Sequence, residues 1–151
     1  MQDEGDKLYR RSLYTLWKRT LPPPNMTIFD APNRDICEVR RQKTNTPLQA
    51  LALQNDEQML EAARVLAQQV AQKKVDTTEM LTHTFQRILV RKPDKNELDT
   101  LKQYYTDATN SFKNNKENAE KLLAQGKYKS VDSDPIKTAA LMLTTQVIYN
   151  L

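Results

Sequence analysis

Catalysis needs nucleophiles, acids, bases or metal ligands at workable spacing, and this sequence offers few. His83 is the sole histidine and Cys37 the sole cysteine among 151 residues. One histidine cannot build a His-based metal cluster or a catalytic triad, and one cysteine forms neither an internal disulfide nor a Cys-x-x-Cys site. His83 lies beside Leu81 and Phe85 in a helix-periodic stretch and reads as a structural or surface residue. Cys37 has no histidine near it in sequence and reads as a small, partly buried hydrophobe. The two glycines, Gly5 and Gly126, exclude a glycine-rich phosphate loop. No catalytic set, metal site or cofactor site can be assigned, so enzymatic activity is left open.

The remaining concentration of chemistry is a run of charge. Asp30, Asp35 and Glu38 are flanked by Arg34, Arg40 and Arg41. A carboxylate pair or hard-metal site is conceivable, but neutralisation of the acids by the neighbouring arginines is the more economical reading, because structural ion pairs mimic functional sites. Two roles compete for the arginines: pinning their own segment, or binding an external anion. Loss of one partner of a buried charged pair costs about 3–5 kcal/mol, against about 0–1 for an exposed pair. At least one of Arg40 and Arg41 is expected to be a buried partner whose removal costs more than about 2 kcal/mol. Arg34, Arg40, Arg41, Asn45, Thr46 and Gln49 form the candidate interaction or anion-binding set.

Charge is unevenly spread. Residues 7–43 hold nine basic residues against three acidic ones, a net of +6 within a chain whose total is +4. Such a segment attracts anions generally, including acidic glycan, an acidic protein face or nucleic acid. Tyr9, Tyr14, Trp17 and Phe29 interleave with it, but Tyr9 and Trp17 fall on an apolar stripe, so the aromatics read as core and nucleic acid is disfavoured. No apolar run is long enough to span a bilayer, and the N-terminus lacks the apolar stretch of a signal peptide.

The elements that must carry these residues are helical. A chain this short on glycine is poorly suited to a turn-rich β architecture, and its apolar residues recur with helical spacing. Tyr9, Leu13, Leu16 and Trp17 predict an amphipathic helix over 7–20, ended by Pro22. Pro22, Pro23 and Pro24 favour an extended path, and 22–46 reads as one long ordered loop, a length that is usually functional or pinned. Thr46 and Pro47 predict a capped helix start, with Leu48, Leu51 and Ala52 opening an apolar face. After a break at Asn55 and Asp56, Met59, Ala63, Leu66, Ala67 and Val70 predict a second segment ending at Lys73 and Lys74. Asp76 with Glu79, and Asp94 with Glu97, have the spacing of helix caps. They precede the stripes Leu81, Phe85, Ile88, Leu89 and Leu98, Leu101, Tyr105, Ala108, Phe112. A short helix over 116–124 ends at Gly126, and Asp134 and Pro135 start a last helix with Ile136, Ala140, Leu143 and Val147 inward.

The runs YRRSLYTLWKRTLPPPNM, FDAPNRDICEVRRQKTNTPLQALALQND and RILVRKPDKNEL, with the ending NL, resemble the C-terminal part of the planctomycete-specific domain (PSD) family. The resemblance implies a bacterial domain of unknown function found in exported multidomain proteins, often with a cytochrome c-like domain upstream. It implies that the chain is a fragment of such a protein, located in the periplasm or cell envelope, with other domains of that protein as partners. The family's signature falls on Arg10, Trp17, Lys18, Arg19, Asp30, Arg40, Arg41, Thr44, Asn45, Thr46, Pro47 and Gln49, and carries no catalytic assignment.

The expectation is therefore one all-α domain, a compact bundle of five or six helices with a long proline-containing loop. It would act as a non-catalytic structural or interaction module. The alternatives are an anion- or substrate-binding part of an enzyme whose catalytic groups lie upstream, or nucleic-acid binding through residues 7–43.

Overall fold

A computed structural model describes residues 9–18, 20–32, 35–73, 75–129 and 133–151. Among them are seven α-helices and no strand, so the all-α class expected from composition holds, with more helices than the five or six expected. The helices are α1 (Pro24–Ile28), α2 (Pro47–Asn55), α3 (Glu57–Ala71), α4 (Thr77–Leu89), α5 (Lys95–Asn114), α6 (Lys116–Leu123) and α7 (Pro135–Ile148). The chain divides into two units, Met1–Asp56 and Glu57–Leu151.

The second unit is built around α7. Nine of its residues are buried, among them Ala139, Ala140, Leu141, Met142 and Ile148, and it packs against α3, α4, α5 and α6. A helix hydrophobic on all sides belongs at the centre of a bundle. Ala140, expected to face inward, is fully enclosed, but Ile136, Leu143 and Val147 are only partly buried, while Met142 and Thr144 beside Leu143 and Ile148 beside Val147 are fully enclosed. The buried threonines satisfy themselves locally: Thr144 Oγ1 donates to the Ala140 carbonyl at 2.9 Å and Thr145 Oγ1 to that of Leu141 at 2.8 Å. Their short side chains thus enter the core without orphaned hydroxyls.

The caps read from sequence are present. Asp94 accepts from Glu97 N while the Glu97 carboxylate accepts from Asp94 N, a reciprocal capping box at α5. Asp76 caps α4 through Thr78 N, and Asp134 caps α7 with Pro135 in the first turn. At the end of α4, Val90 sits at φ 56°, a left-handed position that a β-branched residue rarely occupies.

The first unit departs from expectation. Of the helix predicted over 7–20, residues 7, 8 and 19 lie outside the described residues, and the described ones hold a 3-10 turn at Ser12–Tyr14, with Leu13 and Leu16 both 76% exposed. A helix of that length is marginal unless its apolar face is buried, and these side chains find no such cover. The predicted loop over 22–46 contains α1: Pro23 is extended, as expected, but Pro24 occupies the first turn of a helix, where its missing N–H costs nothing. α1 closes by a Schellman-type arrangement, Ala31 N donating to Met26 O at 2.8 Å and Asp30 N to Thr27 O at 3.3 Å. Asp30 takes the left-handed position at φ 56°, which a short polar residue tolerates better than a branched one.

Glu97 gives the fold a pH dependence. Its carboxylate accepts two hydrogen bonds from Arg91, at 2.7 and 2.8 Å, and Arg91 in turn lies 4.8 Å from the centre of the Phe85 ring. The Arg91 bonds, followed by the Asp94 N–H, pull the Glu97 carboxyl down to about 2. A depressed carboxyl stabilises the fold above its unfolded value, near 4.3, and loses that contribution as pH falls toward 2. Thermal midpoints measured from pH 5 to pH 2.5 should fall more steeply for the parent than for Glu97→Gln; parallel curves would show that the bridge is not linked to folding.

Candidate functional site

The sequence signature converges on a polar lock built around Gln49, the one buried residue among those described in the first unit. Thr46 caps α2 by accepting from Gln49 N at 3.3 Å, and Gln49 Oε1 accepts from Thr46 N at 3.1 Å, a capping box with glutamine in the acidic residue's place. Pro47 fills the first turn. With its oxygen so engaged, the Gln49 amide group is left to donate to Ile28 O at 2.9 Å, Thr44 Oγ1 at 3.1 Å and Asp30 Oδ2 at 3.2 Å. The same Asp30 oxygen accepts from Thr44 N at 2.8 Å and Thr44 Oγ1 at 2.7 Å. α2, the end of α1 and the segment before α2 are thereby joined through one side-chain amide. Asn25 Nδ2 adds a second tie, donating to Asp56 Oδ2 at 2.8 Å.

The lock defines what Asp30 can do. The Thr44 hydroxyl, then the Thr44 N–H, hold its carboxyl below the usual carboxylate range. A carboxylate kept ionised by donors that already occupy it makes a poor proton acceptor, so Asp30 serves as a structural acceptor.

Arg41 does pin the segment, by a route not foreseen. Its guanidinium donates to main-chain carbonyls, Nε to Asp30 O at 2.7 Å and Nη2 to Phe29 O. The Phe29 carbonyl is that of the C-cap of α1 and the Asp30 carbonyl lies just beyond it, so the cation sits where the helix dipole is negative. Arg40 and Arg41 are both exposed, so neither is the buried partner that a cost above about 2 kcal/mol would require. Arg34 lies outside the described residues, as does Arg19. Asn45 is exposed beside the lock, and Thr46 and Gln49 are its members. Of the expected acid partners, Asp35 and Glu38 are exposed.

Next to the lock is an open depression of about 530 Å3 lined by Thr27, Asp30, Ala31, Glu38, Val39, Arg40 and Gln42. Its charges are mixed, two carboxylates and one guanidinium. Cys37, expected to be partly buried, is exposed. Of the aromatics expected in a core, Tyr9 is 44% and Tyr14 71% exposed, while Trp17 and Phe29 are half-buried. His83 is half-buried on α4, with Nε2 2.6 Å from Lys73 Nζ. Among the described residues no group of three or more His, Cys, Asp or Glu is placed to hold a metal ion, and no helix is long and apolar enough to cross a membrane.

Sequence reasoning chose Thr46 and Gln49 without seeing that they form one device with Asp30 and Thr44. The Thr-x-x-Gln spacing signals the capping box between Thr46 and Gln49, but nothing local signals their link to Asp30 and Thr44.

A family model, PSD1, protein of unknown function (DUF1553), matches residues 1–105, which covers the first unit, α3, α4 and the first half of α5. The resemblance read from the sequence is thereby borne out. No curated protein and no solved structure matches the chain.

Thr46→Ala should cost about 0.5–2 kcal/mol by loss of the cap, and Gln49→Leu about 1–3 kcal/mol by stranding polar partners of a buried amide. Arg41→Ala should destabilise this unit more than Arg40→Ala. Urea unfolding followed by the fluorescence of Trp17, the sole tryptophan and a residue of this unit, checks all four. An unchanged midpoint for Gln49→Leu would remove the lock as the organising contact.

Proposed function

The chain belongs to the PSD1 family of unknown function (DUF1553), and on that premise we propose that it is a non-catalytic structural or interaction module of a larger cell-envelope protein. Its partners in this reading are other domains of that protein. The periplasmic or envelope location rests on the family resemblance carried by the sequence.

The observation that supports the interaction role is the composition of the first unit's surface. The unit buries an amide where a folded unit ordinarily buries hydrocarbon, while Leu13, Leu16, Leu21, Ile36 and Val39 are each more than 70% exposed. α2 turns the same way. Gln49 points inward, and Leu48 and Leu51, expected on the buried face, are 56% and 55% exposed. α2 also carries no charged residue. Single exposed leucines are ordinary, but this many on so small a unit mark surface that another polypeptide covers. The locked loop supplies a preorganised backbone for that contact, which lowers the ordering cost of binding.

A substrate- or anion-binding role has one observation in its favour, Arg40 on the rim of the depression, and two against it, the carboxyl groups of Asp30 and Glu38 on the same rim.

Cys37 is a built-in reporter, exposed and adjacent to Ile36. Its rate of maleimide labelling, followed by peptide mass spectrometry, should fall by about tenfold or more when the chain is part of the larger protein, since access governs thiol reactivity as much as pKa does. Equal rates in the two settings would count against coverage of this surface.

A further inference from the structure

The connection between α6 and α7 is held to the second unit in an unusual way. Tyr128 N donates to Glu61 Oε2 at 2.8 Å, and Arg64 Nη2 donates to Tyr128 O at 2.7 Å. Two side chains one turn apart on α3 therefore grip both polar groups of a single backbone residue. Both are almost completely enclosed, Glu61 3% and Arg64 1% exposed. Arg64 Nη1 also donates to Gln68 Oε1 at 3.3 Å, which fixes the guanidinium along α3. The Tyr128 side chain takes no part in this and is 51% exposed. Lys127 and Lys129 on either side are exposed too.

Gly126 makes the approach feasible. A Cβ there would meet Glu61 Cγ at 2.7 Å and Cβ at 2.8 Å, and it would overlap Glu61 Oε2 as well. The backbone is also at φ 82°, a conformation that side-chain-bearing residues rarely adopt. The chain can reach the Glu61 carboxylate because residue 126 has no side chain.

We propose that residues 125–129 form a strap that opens and closes on α3 independently of the helical core, with Gly126 as its hinge and the Glu61 and Arg64 side chains as its latch. The balance of forces supports this. The core helices are held by buried hydrocarbon, whereas the strap is held by hydrogen bonds to charged groups and buries little apolar surface of its own. Arg64 Nε is buried without a hydrogen-bond partner among the described residues, a cost that the closed state bears and that water relieves on opening. Opening uncovers two enclosed charges that recover their hydration, which offsets the bonds lost. An element attached in this way belongs to the low-stability end of a protein's local openings. This inference concerns the second unit and stands apart from the role proposed for the first.

The test is amide hydrogen exchange of the full chain in increasing, sub-denaturing urea. The Tyr128 amide should be protected in the parent, and its exchange should depend little on urea, because the opening that frees it exposes little surface. Core amides of α5 and α7, such as those of Tyr105 and Leu141, should show a steep dependence. Gly126→Ala should speed exchange at Tyr128 by on the order of tenfold and leave the Tyr105 and Leu141 amides within about twofold of the parent. Arg64→Met should behave alike, and if that variant does not fold, Gly126→Ala decides. Tyr128 exchanging as fast as a free peptide in the parent would overturn the strap. A urea dependence equal to that of the core, or core amides accelerating in step with Tyr128, would overturn its independence.

Discussion

A buried primary amide must find partners for its oxygen and both hydrogens, and in the first unit that requirement organises everything else. Gln49 is enclosed, so its oxygen is committed to the start of α2 and its two hydrogens are shared among Ile28 O, Thr44 Oγ1 and Asp30 Oδ2. Three segments are thereby placed against one another. Because the contact is polar and directional, it specifies one arrangement where an apolar contact of the same size would tolerate several. The orientation of α2 follows: with Gln49 turned inward, Leu48 and Leu51 are left outside. The exposed apolar surface on which the interaction role rests is thus a consequence of the lock.

The second unit solves the opposite problem. Its organising element, α7, is enclosed by hydrocarbon from α3, α5 and α6, and the Thr144 and Thr145 hydroxyls that enter the core are satisfied by carbonyls of their own helix. The charged residues drawn into this unit, Glu61 and Arg64, are spent on main-chain atoms of a connection. One unit is held chiefly by burial and the other by a network of hydrogen bonds. Their responses to urea, salt and substitution should differ accordingly.

Much of the second unit was legible because its signals are local and mutually consistent. Asp76, Asp94 and Asp134 sit one residue before their helices and each caps the helix it precedes, and the apolar periodicity of α4 and α5 is strong. The stripe Tyr9, Leu13, Leu16 and Trp17 has helical spacing, but spacing stabilises a helix only when the face is buried, and Leu13 and Leu16 are exposed. α1 went unseen because the residue in its left-handed closing position is Asp30, where a glycine would have signalled the stop. α2 was read inside out since Leu48 and Leu51 look like core and Gln49 like surface, and only long-range partners reverse that order. The candidate site was legible as a cluster of residue names, and its geometry was not, because Asp30 and Gln49 are 19 positions apart.

The Thr44 N–H is the point at which the lock can be read without perturbing any of its donors, since it gives its hydrogen to Asp30 Oδ2 at 2.8 Å and Thr44 itself lies on the exposed surface. An exposed amide is protected from exchange only by its hydrogen bond. The measurement is therefore the hydrogen-exchange rate at Thr44 in the parent and in Gln49→Leu. If Gln49 holds the first unit together, Thr44 is protected in the parent and loses that protection in the variant, while amides in α5 keep theirs. A Thr44 amide equally protected in both proteins would contradict the lock, and with it the reason α2 shows its leucines to a partner.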